Sequence, residues 1–276
     1  MSRLLLATIG RLSNGIRLGW RVGFDSGAML DYVYRERASG ISPLGRLIDR
    51  VFLDSPGWRG NRSRRVQLQS LLGRAITTVA IEGRPERIAD IAAGHGRYVL
   101  EVLARRPERV IVAVLADRDA GNVEAGRRLA RKLELDGVRC VRGDAFDAEQ
   151  LRRLSPRPSI AIVSGLYELF PDNAPIAASL GGLAEAVEEG GYLIYTNQPW
   201  HPQLAFIARV LTNHRDGGRW VMRRRSQAEM DQLVAAAGFE KIDMIIDEDG
   251  IFSVSLARKA PRRLATMPAM LSTAAV

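Results

Sequence analysis

The sequence predicts an α/β fold: a mixed sheet of repeated strand–helix units, closed by a terminal antiparallel hairpin and preceded by an N-terminal helical cap. Three observations predict it. From Arg87 onward, short apolar runs alternate with helical spacings. The first run, within RIADIAAGHGRYVLE, ends in a turn of small residues and passes directly into a helical pattern, the layout in which bare backbone and a helix N-terminus face a ligand. The last two runs flank Asp247-Glu248-Asp249-Gly250, where the Asp-Gly pair marks a hairpin.

Composition narrows the classes. At 276 residues the chain holds one large domain or a domain with an appendage. The single cysteine, Cys140, excludes an internal disulfide framework and a cysteine cage, and without a Cys/His cluster or HExxH no metal is expected. No run approaches the ~20 apolar residues of a spanning helix. Met1–Leu6 is apolar, but Gly10, Arg11, Asn14 and Arg17 interrupt the stretch beyond it, so no signal peptide is expected and the reading is cytoplasmic.

The net charge of +9 is unevenly placed. Residues 1–82 carry 13 Arg, no Lys and 6 acids, a net +7. Residues 83–258 carry 24 basic and 25 acidic residues, a net −1, and residues 259–276 add +3. The basicity belongs to the ends.

Taken in order, residues 1–82 form a helical preface. Residues 1–24 mix Leu4, Leu5, Leu6, Ile9, Leu12, Ile16, Trp20 and Phe24 with Arg3, Arg11, Arg17 and Arg21 at roughly helical spacing. Such a segment suits an anionic membrane surface, or packs on its own domain. Short helices are predicted over 29–37 and 43–52 and a longer one over 61–81, ended by Glu82-Gly83-Arg84-Pro85. Residues 83–258 form the main domain. Its strands are predicted at 88–92, 110–115, 138–141, 160–164 and 192–196, and the hairpin at 241–246 and 251–256. Helices are predicted at 122–135, 174–189, 204–211 and 227–237. Residues 259–276 read as a disordered basic tail.

Three sites fall at the carboxyl ends of consecutive strands, where ligands bind in open α/β sheets. The first is the turn after Asp90, in which Gly94 and Gly96 permit left-handed backbone and close approach; a side chain at Gly96 is expected to project toward the ligand. The second is Asp117, able to accept bonds from two ribose hydroxyls, with Asp119 as its competitor. The third is Gly143-Asp144-Ala145-Phe146. There Asp144 can accept from an adenine amino group while Ala145 or Phe146 packs on the base.

DIAAGHG, LADRD and GDAF, with the terminal hairpin, resemble a class I S-adenosylmethionine-dependent methyltransferase over about residues 87–258. In that family's first motif an acid precedes G-x-G-x-G; here Asp90 fits, Ala92 replaces the first glycine, and Gly94 and Gly96 supply the others. FDSGAMLDYVYRERASG and GWRGNR also resemble an uncharacterised bacterial methyltransferase branch, some members of which are joined to an α/β-hydrolase domain; no such domain is expected in these residues. The resemblance implies a Rossmann-like sheet. It implies S-adenosylmethionine as cofactor, with its methionine part near Asp90–Gly96, its ribose at Asp117 and its adenine at Asp144. It places the sulfonium nearest the end of the fourth strand, at Ser164. The competing dinucleotide fold would need G-x-G-x-x-G, and His95-Gly96-Arg97-Tyr98 lacks that spacing.

The acceptor is read from the segments after the fourth and fifth strands. Tyr167 is a candidate to position a nucleophile, and Glu168 to take a proton or bind a cation; packing is the alternative for this segment. His201, in Asn197-Gln198-Pro199-Trp200-His201, is a candidate base. His95 is expected to bond backbone or cofactor, and His214 carries no specific signal. A small-molecule or lipid-like acceptor is expected, met in the cytoplasm or at the inner membrane surface. The rivals are a nucleic-acid methyltransferase, disfavoured because aromatics are not interleaved with the arginines, a non-catalytic cofactor-binding module, and a basic structural or interaction protein that binds no cofactor.

Overall fold

The structure, a computed structural model, describes residues 2–260. Seven strands form one sheet: β1 (Arg87–Ile91), β2 (Val112–Asp117), β3 (Val138–Arg142), β4 (Ile160–Val163), β5 (Tyr192–Asn197), β6 (Phe239–Ile246) and β7 (Ser253–Lys259). Their order is β3-β2-β1-β4-β5-β7-β6. The first five are parallel, and β7 enters antiparallel between β5 and the edge strand β6. The sheet is therefore the Rossmann-like one with a terminal hairpin that the sequence predicts. The strand order switches between β1 and β4, with β2 and β3 added on one side and β5 on the other, which opens a crevice at their carboxyl ends.

Alternation along each strand sends side chains to two cores. Ile160 and Ile162 face α5 (Pro56–Ile81), α6 (Arg97–Ala104) and α7 (Ala120–Lys132). Ala161 and Val163 face α8 (Ala148–Arg152), α9 (Asn173–Ala186) and α11 (Gln227–Ala236). The short α8 was not predicted from the sequence. Helix α5 begins at Pro56 rather than residue 61, because Pro56 suits the first turn, where its missing N–H is no loss. Its Leu68, Leu71, Leu72, Ala75, Ile76 and Val79 pack with the sheet, so this helix belongs to the sheet's core as much as to the preface.

The rest of the preface is α1 (Ser2–Ala7), a 3-10 turn at Ile9–Leu12, α2 (Asn14–Val22), α3 (Gly27–Arg35) and α4 (Pro43–Leu53). A third core joins Ile16, Phe24, Met29, Val33, Leu53 and Trp58 to Ile207 and Val210 of α10 (Leu204–Val210), and to Leu211 and Trp220. Buried Asp49 ties the preface together, accepting from Ser13 Oγ, Gly15 N, Tyr32 Oη and Ser39 N. Residues 14–24 pack on α4 and Trp58, so residues 1–24 are not one interfacial helix. Lys259 closes β7, and the rest of the expected tail, from residue 261, lies outside the described residues.

Candidate active site

Beyond β1 the backbone takes left-handed conformations at alternate residues: Ala92 at φ 53°, Gly94 at 58° and Gly96 at 64°. Ala92 thus occupies a conformation that favours glycine, at a cost of about 1–2 kcal/mol for a side chain. Gly94 N donates to Asp117 Oδ2 at 2.8 Å. Asp117 Oδ1 accepts from Asp119 N at 2.9 Å and Asn122 Nδ2 at 3.1 Å. Asp119 caps α7, accepting from Asn122 N at 2.8 Å. The carboxylate after β2 therefore shapes the turn after β1.

These groups line a cavity of about 500 Å³. Ala92, Gly94, Gly96, Asp117, Asp144, Ala145, Phe146 and Ser164 all border it. Asp144 Oδ1 accepts from Phe146 N at 2.9 Å, and the Phe146 ring meets Phe170 edge-on, centroids 4.5 Å apart. Asp90 does not border the cavity. It is wholly buried beneath the turn, with the Tyr98 hydroxyl 2.7 Å from each carboxylate oxygen. Burial pushes its pKa up to about 8, although the Tyr98 bond opposes this. A Cβ at Gly96 would fall 2.4 Å from Leu115 Cδ1, so this position faces the core, contrary to the sequence expectation. At Gly94 a Cβ would lie 3.2 Å from Gly27 Cα, so the preface covers the turn there.

The preface supplies much of the opposite wall: Asp25, Gly27, Leu30, Asp31 and Tyr34. Asp31 takes Arg97 Nε at 2.5 Å and lies 3.4 Å from His95 Nδ1. Burial alone would raise its carboxyl, but the bonds from His95 and Arg97 outweigh this and hold its pKa at about 2. His95 thus faces the preface. His214, without signal in the sequence, borders the cavity; Asp25 Oδ1 accepts from its backbone N at 2.6 Å and lies 3.1 Å from its Nδ1. That bond raises the imidazole pKa.

A second cavity of about 300 Å³ adjoins the first, and Asp25, Leu30, Arg64, Gly165 and Leu169 line both. Its wall is largely apolar, with Leu6, Ile16, Phe52, Trp58, Phe206 and Trp220 among its residues. Glu168 and His201 sit on it. Glu168 Oε1 lies 3.3 Å from Arg64 Nη1, while Glu168 Oε2 and Arg64 Nε have no partner. Burial raises the Glu168 carboxyl, against the pull of Arg64. His201 Nδ1 accepts from Gln203 N at 3.0 Å, and burial lowers its pKa to about 4. The ring is then neutral near pH 7, and with Nδ1 accepting from Gln203 its proton is on Nε2. Tyr167 reaches neither cavity. Its hydroxyl bonds Ser179 Oγ at 2.9 Å beneath α9, which is the packing alternative for this residue.

Arg225 is another residue that the sequence did not single out. Buried in a run of three arginines, it donates to the carbonyls of Tyr167, Phe170, Pro171 and Asp172 and so fixes the turn that carries Glu168. Among the described residues no group of His, Cys, Asp and Glu is arranged to hold a metal, and no helix is long and apolar enough to cross a membrane.

Residues 1–259 match the family described as "Putative methyltransferase". The chain belongs to this methyltransferase family. It is similar to "Uncharacterized protein YnbC" of Escherichia coli (strain K12), 52% identical over 256 residues. That match covers 92% of this chain and 44% of the relative, so the chain spans less than half of the relative's length. Among solved structures it resembles a "possible exported protein" from Bordetella parapertussis (TM-score 0.67, 22% identity, 85% of this chain and 79% of that one). It also resembles magnesium protoporphyrin IX methyltransferase from Synechocystis PCC 6803 with bound SAH (TM-score 0.55, 13% identity, 87% and 98%). A third is an O-methyltransferase family protein from Burkholderia thailandensis (TM-score 0.55, 17% identity, 90% and 71%). At these identities the structures speak for the methyltransferase fold. The first motif, the two strand-end acids and the hairpin were open to sequence reading; the contributions of the preface and of Arg64 and Arg225 were not.

Proposed function

We propose that this methyltransferase uses S-adenosylmethionine and transfers its methyl group to an apolar small molecule or lipid-like acceptor. The observation that carries this reading is the junction of the two cavities at Arg64, Gly165 and Leu169. One cavity has the bare turn and strand-end acids that fit a nucleoside; the other is walled by aromatic and aliphatic side chains. The turn of residues 92–96, left-handed at Ala92, Gly94 and Gly96, would present its backbone to the methionine part. Asp117 would hold the ribose, and Asp144, Ala145 and Phe146 the adenine. Asp90, beneath the turn, supports its shape through Tyr98. When bound, S-adenosylmethionine supplies a methyl group already activated on a sulfonium.

This chain's residues then need to align an acceptor atom and exclude water. Ser164 and Gly165 border the junction from the β4 side, and Leu30 and Leu169 close it. Glu168 is the candidate to take a proton from the acceptor: its carboxyl lies on the acceptor wall with one oxygen unpartnered. His201 would donate a hydrogen bond to the acceptor through Nε2. A nucleic acid fits this reading poorly, because the second cavity is apolar. A peripheral place at the inner membrane surface follows if the acceptor is a lipid.

Calorimetry with S-adenosylmethionine tests the cofactor assignment. Incubation of the protein and S-adenosylmethionine with bacterial lipid and polar extracts, followed by mass spectrometry for a gain of one methyl group, tests the acceptor. A methylated product confined to the polar extract or to RNA would overturn the apolar assignment.

A further inference from the structure

Leu6 of α1, Ile48 and Val51 of α4 and Phe206 of α10 line the apolar cavity, and because Val51 and Phe206 are 66% and 41% exposed, its mouth lies at these two side chains. Around that mouth the surface is unusually apolar. Leu4 and Leu5 on α1 are 70% and 57% exposed, and Leu44, Leu47 and Val51 on α4 are 54%, 61% and 66% exposed. Ile9 and Ile41 lie beside them, the 3-10 turn and the start of α4 being joined where Ile41 N donates to Leu12 O. Isolated surface leucines need no explanation, but seven exposed aliphatic side chains within residues 4–51 beside a cavity mouth mark an interaction surface.

The exposed charge on this part of the molecule is predominantly basic. Arg11, Arg17, Arg21, Arg46 and Arg50 are exposed, and among the described residues none of them forms an ion pair. Of the acids in residues 1–54, Asp25, Asp31 and Asp49 are buried, and exposed Glu36 and Asp54 both lie against Arg62. On α4, Arg46 and Arg50 alternate with Leu44, Leu47 and Val51, so apolar and basic side chains share one exposed surface. An apolar surface rimmed by unpaired arginines complements an anionic bilayer: leucines enter the acyl boundary while guanidinium groups meet the headgroups.

We propose that the α1–α4 face is a docking surface for an anionic lipid bilayer, and that it seats the acceptor cavity's mouth on the membrane, so that the acceptor is a bilayer-resident amphiphile. This rests on the apolar cavity being the acceptor site. Docking involves the face of α4 and the start of the chain, not residues 1–24 as a unit, because α2 turns Ile16 and Gly19 inward.

Flotation of the full chain with vesicles of phosphatidylcholine alone, and of phosphatidylcholine with about a third phosphatidylglycerol, tests the proposal. Two variants lie outside both cavities: Leu44→Glu/Leu47→Glu and Arg46→Glu/Arg50→Glu. The protein should float with the anionic vesicles at least tenfold more than with the neutral ones. Each variant should lose at least tenfold of that binding while keeping its melting temperature and its affinity for S-adenosylmethionine by calorimetry. Failure of the unmodified chain to float with anionic vesicles overturns the proposal, as does undiminished flotation of both variants. A dimer in light scattering that Leu44→Glu/Leu47→Glu converts to monomer, without vesicle binding by the unmodified chain, would assign the face to a second copy instead. Loss of cofactor affinity by the unmodified chain would strike the methyl-transfer reading alone, because flotation is measured without cofactor.

Discussion

The Arg64 guanidinium lies 3.3 Å from the Glu168 carboxylate; both side chains are buried, Arg64 lining both cavities and Glu168 the apolar one. They come from α5 and from the turn after β4, separated by 104 residues in sequence. The guanidinium also stacks 4.6 Å over the Phe252 ring, and a Cβ at Gly165 would fall 2.9 Å from its Nη2. Gly165, at φ 69°, thus makes room for Arg64. Removing one partner of a buried pair leaves an uncompensated charge, at a cost of about 3–5 kcal/mol, whereas replacing both with apolar groups costs far less. Arg64→Met alone should therefore lower unfolding stability in urea by that amount, and Arg64→Met/Glu168→Leu should recover most of it. Additive effects in this cycle would show that the two side chains do not act as a pair.

Glu168→Gln separates packing from chemistry. It keeps the shape and a hydrogen-bond acceptor toward Arg64 but cannot take a proton at neutral pH. Affinity for S-adenosylmethionine should stay within about twofold, while transfer to the acceptor found by mass spectrometry should fall by roughly 10²–10⁴-fold. Undiminished transfer would leave Glu168 a structural partner of Arg64 only.

Asp117 carries two duties, the ribose by proposal and the Gly94 amide by geometry. Charge-assisted hydrogen bonds contribute about 1.5–3 kcal/mol each. Asp117→Ala should weaken S-adenosylmethionine binding at least tenfold in calorimetry. Unchanged affinity in a folded variant would remove Asp117 from the site and point to Asp119.

The two glycines of the turn should behave differently. At Gly96 a side chain meets Leu115 in the core and adopts left-handed backbone, so Gly96→Val should destabilise the fold by about 2–4 kcal/mol. At Gly94 the nearest obstacle is Gly27 of the preface, 3.2 Å from the added Cβ. Gly94→Ala should weaken cofactor binding with a smaller stability loss. Thermal unfolding and calorimetry on both variants check this; equal stability losses would contradict it.

Why the sequence yielded some of this and not the rest comes down to particular residues. The parallel strands are continuous apolar runs because both faces of the sheet are covered, which is why 160–163 and 192–197 were legible. The second run misled at its start: Val110 is solvent-exposed and β2 begins at Val112. Asp117 and Asp144 could be found because sheet topology alone brings strand ends together. Asp25, Asp31, Arg64 and His214 reach the cavities only through packing of the preface and the 204–222 segment, which leaves no local pattern. The direction of a side chain within a short 3-10 turn is equally invisible, so both Tyr167 and Glu168 stood as candidates although one packs beneath α9 and the other lies on a cavity wall.

Asp90 offers a test by pH. Its pKa stands at about 8 in the folded protein, through burial, against an ordinary carboxylate value of about 3.9 in the unfolded chain. Between these values the folded state holds a proton that the unfolded state has released. The unfolded state then binds fewer protons, so stability falls as pH rises across this window, by at most about 1.4 kcal/mol per pH unit from this group. Below about pH 4 the carboxyl is protonated in both states, and above about pH 8 it is ionised in both, so its slope vanishes at either end. Other groups titrate over the same range, so the quantity to measure is the difference between the protein and Asp90→Asn. Asparagine keeps the size of the side chain and a hydrogen bond to Tyr98 but does not ionise. Urea unfolding from pH 5 to 8 should show the variant gaining stability relative to the unmodified chain as pH rises. A constant difference across that range would mean that Asp90 is ionised throughout, held by more than the Tyr98 hydroxyl.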